Sequence, residues 1–332
     1  MKIRIEVLRN FCKEILVKIG VPEDHAQIVA DHLITAEVLG QGSHGVIRLI
    51  YYQKALEEGF LNPKPRIKII KENGGTFLVD GDNGLGQVVA NATTELSIAK
   101  AAKNGICLGS AINLGHVGIL SYYVLKVLKN RMIAISTTNA PAVMAAWGGK
   151  RKILGTNPIA IGMPFKNERY ILFDSAMSIT SRGKIMLAMQ RGERIPENWA
   201  LDADGKPTSD PIKALQGVLL PDGIKGYVFA LFSDMLCGSL LGGKFGYQLP
   251  ANFASQGGFI ILVINPEFLR PYSEYIKSLE EYLKTLKNIE REIKIPGERL
   301  VKLKESEVEI EDKIIEKLKK LAHELGCDAE IK

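Results

Sequence analysis

The spacing of apolar residues changes period twice along this 332-residue chain, and that double change limits what the chain can fold into. Over residues 5–59 apolar side chains recur at helical intervals. A first helix spans 5–19 and stops at Gly20. Pro22-Glu23-Asp24 has the composition of a first turn and opens a second helix running to Gly40, and Ser43 opens a third that ends near Gly59. Asn62-Pro63-Lys64-Pro65 is a stiff connector, after which 66–72 alternates as a strand with Ile67 and Ile69 on one face. From Gly75 the apolar runs shorten to strand length, at 77–80, 106–112, 132–137, 159–163, 170–174 and 260–265. Gly-rich loops or helices separate them, including a helix at 87–103 and a buried one at 231–241. Beyond Pro271 the helical period returns in two charged amphipathic segments, 273–286 and 307–325. The expected fold class is α/β: a mixed sheet with helices over 73–267, and a mainly helical domain assembled from 1–72 and 268–332.

Composition narrows the classes of function. Apolar residues at 46% and charged residues at 24% are globular values. The net charge of +6 comes from lysines mixed with glutamates, so no basic stripe interleaved with aromatics forms and no nucleic acid partner is expected. Cys12, Cys107, Cys237 and Cys327 stand alone without a C-x-x-C pair, which argues for reduced thiols in a cytoplasmic setting and against a zinc knuckle or disulfide frame. Apolar runs such as 257–264 are too short to cross a bilayer, and no secretion signal precedes the first helix, so no membrane partner is expected. H-E-x-x-H, P-loop and G-x-S-x-G patterns are absent, which disfavours metalloprotease, NTPase and α/β-hydrolase chemistry; no metal site is expected.

Several short segments carry chemistry. In Ser43-His44-Gly45, followed by Arg48 and Tyr52, a histidine that exchanges a proton near neutral pH stands about one helical turn from a guanidinium fork suited to a carboxylate. The same residues also fit a capped helix start with solvated polar groups. His116 follows a strand expected to be buried, where α/β proteins place ligands, or it is a buried histidine bonded to a carbonyl. Thr137-Thr138-Asn139-Ala140-Pro141, Trp147-Gly148-Gly149 and Gly155-Thr156-Asn157-Pro158 are polar turns in close succession, able to line a polar pocket or simply to connect. Asp174, ending a strand before Ser175 and Ala176, suits ribose hydroxyls or the cap of a following helix. Lys225, ahead of an apolar helix, suits a phosphate or plain solvation.

Gly84-Leu85-Gly86-Gln87 lies between a strand and a helix, as a dinucleotide fingerprint would. The third small residue, Ala90, falls one place late, and 106–114 lacks the acidic residue that holds a ribose. A tight turn feeding a helix is the better account.

Taken in order, SHGVIRL (43–49), LNPKP (61–65), VDGDNGLGQ (79–87), GHVG (115–118), AAWGGKRKILGTNP (145–158), IPENWALDADGKPTSDP (195–211), LLPDGIKGY (219–227) and INPEF (264–268) resemble the malate/L-lactate dehydrogenase family that lacks a Rossmann fold. The resemblance covers nearly the whole chain. It implies an unusual mixed-sheet NAD(P)-binding core over 73–267, beside a helical substrate and dimerisation domain. It further implies an oxidoreductase moving a hydride between NAD or NADP and a small 2-hydroxy or 2-keto acid, and a homodimer with its active site near the subunit interface. Malate is the first substrate expected; sulfolactate, lactate, a cyclic imino acid, or a non-catalytic nucleotide-binding homologue are the alternatives. Carried over by motif, His116 and His44 are the acid/base residues, with His116 favoured for proton transfer. Ser43, Arg48 and Tyr52 hold the substrate, and Asn139, Asp174, Ser175, Ala176 and Lys225 contact the cofactor. Arg182 or Lys184 offers a cation for a second acid group. The chain departs from the family at Val117, where an aromatic residue is usual, and at Gly115, Met177 and Val228, which bears on cofactor geometry and on NAD against NADP preference.

Overall fold

Strand β1 (Lys2–Arg4) runs straight into helix α1 (Ile5–Lys18), whose Leu8, Phe11, Cys12, Ile15 and Leu16 fall on one face and are all buried. The computed structural model describes residues 1–166, 169–250, 254, 256–297, 300, 303, 305–327 and 331. Helix α2 (Glu23–Val38) follows Pro22, with Glu23 and Asp24 placed where a helix N-terminus favours negative charge. The third helix differs from expectation. Ser43 and His44 lie in a single 3-10 turn (Gly42–His44), and α3 (Arg48–Glu57) begins five residues after Ser43. Gly45, at φ −88° and ψ −149°, is extended and ends the turn, so His44 is not on the helical face of Arg48 and Tyr52.

The sheet grows from β2 (Lys68–Asn73) and β3 (Thr76–Gly84), continues through α4 (Gly86–Asn104) to β4 (Ile106–Leu114), then through α5 (Leu120–Lys129) to β5 (Ile133–Thr138), β6 (Ile159–Pro164) and β7 (Tyr170–Ser175). A smaller lobe follows, with α6 (Arg182–Arg191), β8 (Ala200–Leu201), α7 (Pro211–Gln216), β9 (Val218–Leu219) and α8 (Gly223–Met235). The chain returns through β10 (Gly257–Ile264) and ends in α9 (Tyr272–Ile289), β11 (Glu307–Glu309) and α10 (Asp312–Glu324). Among the described residues the sheet order is β2-β3-β4-β10-β5-β6-β7, and only β3 and β4 are parallel, joined by α4.

Register places several loop origins at one end of this sheet. Gly84 pairs with Leu114, Leu114 with Gly257, Phe259 with Thr138, Thr137 with Ile159, and Ile159 with Ser175. The residues after β4, after β5 and after β7 therefore emerge side by side. One sheet face is closed by α4 and α5, and small residues permit this: a Cβ on Gly109 would meet Ser97 at 2.0 Å, and one on Gly162 would meet Val124 at 2.4 Å. The helical layer has its own core, in which Leu8, Ile15, Leu33 and Tyr52 pack with Val308, Ile315 and Leu318.

Two further expectations are corrected. Glu307-Val308-Glu309 is a strand paired antiparallel to Lys2–Arg4, not the start of a helix, because Val308 completes the core beside Ile3. The segment 231–241 is buried on one face only: Ser233, Asp234, Cys237 and Leu241 are buried, but Phe232, Met235 and Leu240 are 57%, 49% and 61% exposed, and the helix passes into a wider π turn at Leu236–Leu240. Among the described residues no helix is long and apolar enough to cross a membrane.

Candidate active site

α3 carries Arg48 and Tyr52 four residues apart, on one face toward the end of β4. β4 ends at Leu114; Asn113, at φ +54°, bends the chain so that Gly115 and His116 turn back over α4. The Tyr52 hydroxyl lies 3.0 Å from Nδ1 of His116, and the amide nitrogen of Gln87 donates to that hydroxyl. His44, arriving from the 3-10 turn, stacks on His116 with ring centroids 5.4 Å apart and planes 23° from parallel. Nδ1 of His44 is 3.1 Å from the Ser43 hydroxyl, and Nε of Arg48 donates to the Ser43 carbonyl at 2.6 Å. Four of the five residues expected at the substrate (Ser43, His44, Arg48, His116) thus meet in one cluster, His44, Arg48 and His116 half-buried and Ser43 exposed. The fifth, Tyr52, is fully buried and touches His116 instead of the open side.

Electrostatics hold both imidazoles neutral. Burial, then the Arg48 charge, then His32 lower His44 to about 3, and burial with Arg48, His44 and His32 takes His116 well below the ordinary 6.5. Burial also raises Tyr52 to about 12, so its phenol keeps its proton. Helix α2 supports both histidine loops from beneath. Glu37 Oε1 accepts the Val46 N–H at 2.8 Å, and His32 Nε2 accepts the Ile119 N–H at 2.9 Å.

The residues expected at the cofactor lie at the same sheet end. Asn139 is buried and fully engaged: it donates to Asp234 at 2.9 Å and to the Lys244 carbonyl at 2.8 Å, and accepts from Gly258 N–H at 2.9 Å. Thr137, Thr138 and Asn157 are likewise buried and bonded to Ser233, Gly258 and Ala230, so these polar turns tie loops to one another instead of lining an open pocket. Asp174 accepts the Ser121 N–H at 2.8 Å, which caps α5, a helix earlier in the chain, not one that follows. Burial raises its carboxyl above the usual range, against the hydrogen bonds from Ser121. With Gln41, Phe173 and Pro296 it borders a pocket of ≈ 300 Å³. Ser175 is exposed beside it. The first turn of α8, carrying Lys225, is seated on 176–178, since a Cβ on Gly226 would fall 2.5 Å from the Met177 carbonyl oxygen. That set fits a dinucleotide: helix amides with a lysine for phosphates, and a carboxylate at a pocket for ribose hydroxyls. Arg182 donates to the Leu215 carbonyl at 3.2 Å, and a Cβ on its neighbour Gly183 would lie 3.6 Å from Cβ of Ser43. Among the described residues no group of three or more His, Cys, Asp or Glu side chains could hold a metal ion.

Gln87, Glu37, His32 and Asp234 were not read from the sequence. Gln87 alone had a signal, its place in the false fingerprint.

A sequence profile of the malate/L-lactate dehydrogenase family matches residues 3–319. An L-sulfolactate dehydrogenase of Methanocaldococcus jannaschii is 43% identical over 330 residues, covering 96% of this chain and 95% of that protein. A malate/(S)-sulfolactate dehydrogenase of Methanothermus fervidus is 36% identical over 338 residues, covering 99% of each. The solved structure of the Methanocaldococcus jannaschii sulfolactate dehydrogenase superposes with a TM-score of 0.92 at 40% identity, covering 99% of this chain and 98% of that one.

Proposed function

Because the chain belongs to the malate/L-lactate dehydrogenase family, we propose that it interconverts a small 2-hydroxy acid and its 2-keto acid, with His116 moving the hydroxyl proton. The observation that carries this reading is the pair of stacked, neutral imidazoles with a guanidinium beside them at the end of β4. A neutral imidazole takes the hydroxyl proton as C2 is oxidised, so negative charge does not build on oxygen; returning the proton polarises the keto group. Arg48 binds the carboxylate and so orients C2. His44, held by Ser43, orients the substrate or shares the proton. Tyr52 acts on the substrate through His116.

The family's nicotinamide cofactor supplies or takes up the hydride when bound. Asp174, Ser175 and Ala176 would contact its ribose side, Lys225 and the first turn of α8 its phosphates, and Asn139 would shape the loop after β5. NAD and NADP both fit this set. The preferred acid carries a second anionic group, as malate and sulfolactate do: Ser43 abuts the first turn of α6, whose positive end and exposed Lys184 favour a second carboxylate or a sulfonate. The 43% identity to an L-sulfolactate dehydrogenase supports the same choice.

A second copy of this chain completes the molecule. Phe173, Ile161 and Ile135 form an in-register row, 45%, 39% and 39% exposed, and α8, whose Ser233 is bonded to Thr137 of β5, carries Phe229 and Phe232 at 52% and 57%. Such exposed apolar side chains mark an interface. The four cysteines stand apart in the sequence with no C-x-x-C pair, which supports a cytoplasmic setting.

Absorbance at the reduced-nicotinamide band tests the reading, with oxaloacetate, sulfopyruvate, pyruvate and a cyclic imino acid, each against NADH and NADPH. Rapid oxidation with a dianionic keto acid is expected. Silence across all pairs in a folded, nucleotide-binding sample would overturn it.

A further inference from the structure

The glycine turn before α4 has a neighbour that explains its composition. Gly115 N–H donates to the Gly84 carbonyl at 2.9 Å. A Cβ on Gly86 would lie 2.2 Å from the Gly115 carbonyl oxygen and 2.5 Å from the carbonyl carbon of His116. Those neighbours are backbone atoms and cannot swing aside, so a residue without a side chain is needed there. The turn therefore lets α4 begin directly against the histidine loop. The next residue, Gln87, is delivered beneath the imidazole with 0% exposure, where its amide reaches the Tyr52 hydroxyl bonded to His116.

We infer that Gln87 is a positioning residue that sets, through the Tyr52 hydroxyl, which ring nitrogen of His116 carries the proton. The inference rests on His116 as the proton-transfer residue. A tyrosine hydroxyl has one proton to give. With the Gln87 N–H donating into its oxygen, Tyr52 directs that proton at Nδ1 of His116. Nδ1 is then an acceptor, and the neutral ring holds its own proton on Nε2.

Burial decides the orientation of the amide. Oε1 of Gln87 is buried with no hydrogen-bond partner. Reversing the amide would put the NH2 group in that place, and buried orphan N–H donors are rarer than under-satisfied carbonyls.

This resting arrangement has a chemical consequence. In the Nε2–H form His116 presents a donor to the cleft, which suits the oxygen of a keto acid. Accepting a proton from a hydroxy acid needs the other tautomer, with Nε2 bare and Nδ1–H donating to the Tyr52 oxygen. Tyr52 must then turn its O–H toward Gln87 as a hydrogen-bond donor, with the amide turned over to offer Oε1, while the ring takes up a proton at Nδ1 and releases the one on Nε2. The proton count on His116, Tyr52 and Gln87 together is the same in both forms. Gln87 is thus the turning element of a three-residue chain, and Gly86 is what brings it within reach.

Nitrogen-15 NMR of histidine-labelled protein, with His116 assigned by its loss in His116→Ala, tests this without substrate. In the parent protein Nδ1 should resonate as a pyridine-like and Nε2 as a pyrrole-like nitrogen. In Gln87→Met, where the amide can no longer force Tyr52 to donate, the two resonances should move toward each other as the tautomers mix. Tyr52→Phe should produce the same loss. A parent protein already in the Nδ1–H form would overturn the inference. So would an unchanged pair of shifts in a folded Gln87→Met, or a preference that survives Tyr52→Phe. Absence of turnover with any hydroxy acid would count against the dehydrogenase reading and leave these spectra unaffected.

Discussion

Oε1 of Glu37 accepts the backbone N–H of Val46 at 2.8 Å, and a Cβ on Gly45 would fall 2.0 Å from that same oxygen, so the loop bearing His44 is seated on one half-buried carboxylate. Burial raises Glu37 from its ordinary 4.5 to about 7; the Val46 bond opposes the rise and Glu311 adds to it. Between these two values the unfolded chain has already released the proton that the folded chain keeps. The stability contributed by the protonated form is complete below about pH 4.5 and is lost as pH rises to about 7. Glu37→Gln retains an oxygen for Val46 and cannot ionise. It should be more stable than the parent at pH 8 by about 1–2 kcal/mol, a figure reduced for partial exposure, and near parity at pH 4.5. Thermal melts at the two pH values decide; a stability difference independent of pH would count against a raised Glu37 carboxyl.

Both histidines of the candidate site lie far below the ordinary imidazole value, His44 at about 3. For oxidation of the hydroxy acid, kcat/KM should therefore hold a plateau from neutral pH down to below pH 6, since it reports the free enzyme. A descending limb with an apparent pKa between 6 and 7 would show that the cleft leaves His116 close to solvent behaviour.

Arg48 should show two separable effects. Its loss in Arg48→Ala removes charge-assisted bonds to a carboxylate, about 1.5–3 kcal/mol or roughly ten- to hundredfold in KM. It also removes a cation that lowers both histidines, so any acidic limb should move to higher pH. Arg48→Lys should restore the charge effect more fully than the KM, because an ammonium lacks the two-point fork. Steady-state kinetics across pH test both, and an unchanged KM in Arg48→Ala would remove it from the carboxylate site.

Ile161 stands between Ile135 and Phe173 in the exposed apolar row. Ile161→Asp places a charge at the centre of that face and should convert a dimer to monomer, read by analytical ultracentrifugation. A parent protein that is monomeric at micromolar concentration would refute the proposed interface outright.

Much of this arrangement was legible in the order of residues. Helix α1 and strands β4 to β6 stand within one or two residues of where apolar spacing put them, because each buries a face whose period is unambiguous, and β7 stands as close although none of its residues is fully buried. Ser43 was misassigned to a helix because composition alone does not register that Gly45 is extended. β11 was hidden because a three-residue strand with one apolar side chain, Val308, fits equally into an amphipathic helix. The apolar content of 231–241 matches its buried face, at Cys237 and Leu241, but does not distinguish it from the face that leaves Phe232, Met235 and Leu240 exposed. At the candidate site, the residue types of His44, Arg48 and His116 suggest proton and carboxylate chemistry, and the resemblance to a family joins them. Glu37, His32 and Gln87 carry no such mark: each acts through a single hydrogen bond to a loop or side chain distant in sequence.

The pairing of Lys2–Arg4 with Glu307–Glu309 bears on how the molecule acquires its activity. The α1 and α2 core beneath the His44 loop is finished by Val308, Ile315 and Leu318, residues made some three hundred positions after β1. Contacts so distant along the chain form late and slowly. During synthesis the sheet can assemble first, while the helices that carry Arg48 and Tyr52 and support His44 wait for their last wall, so the candidate site is among the final parts of the molecule to become rigid.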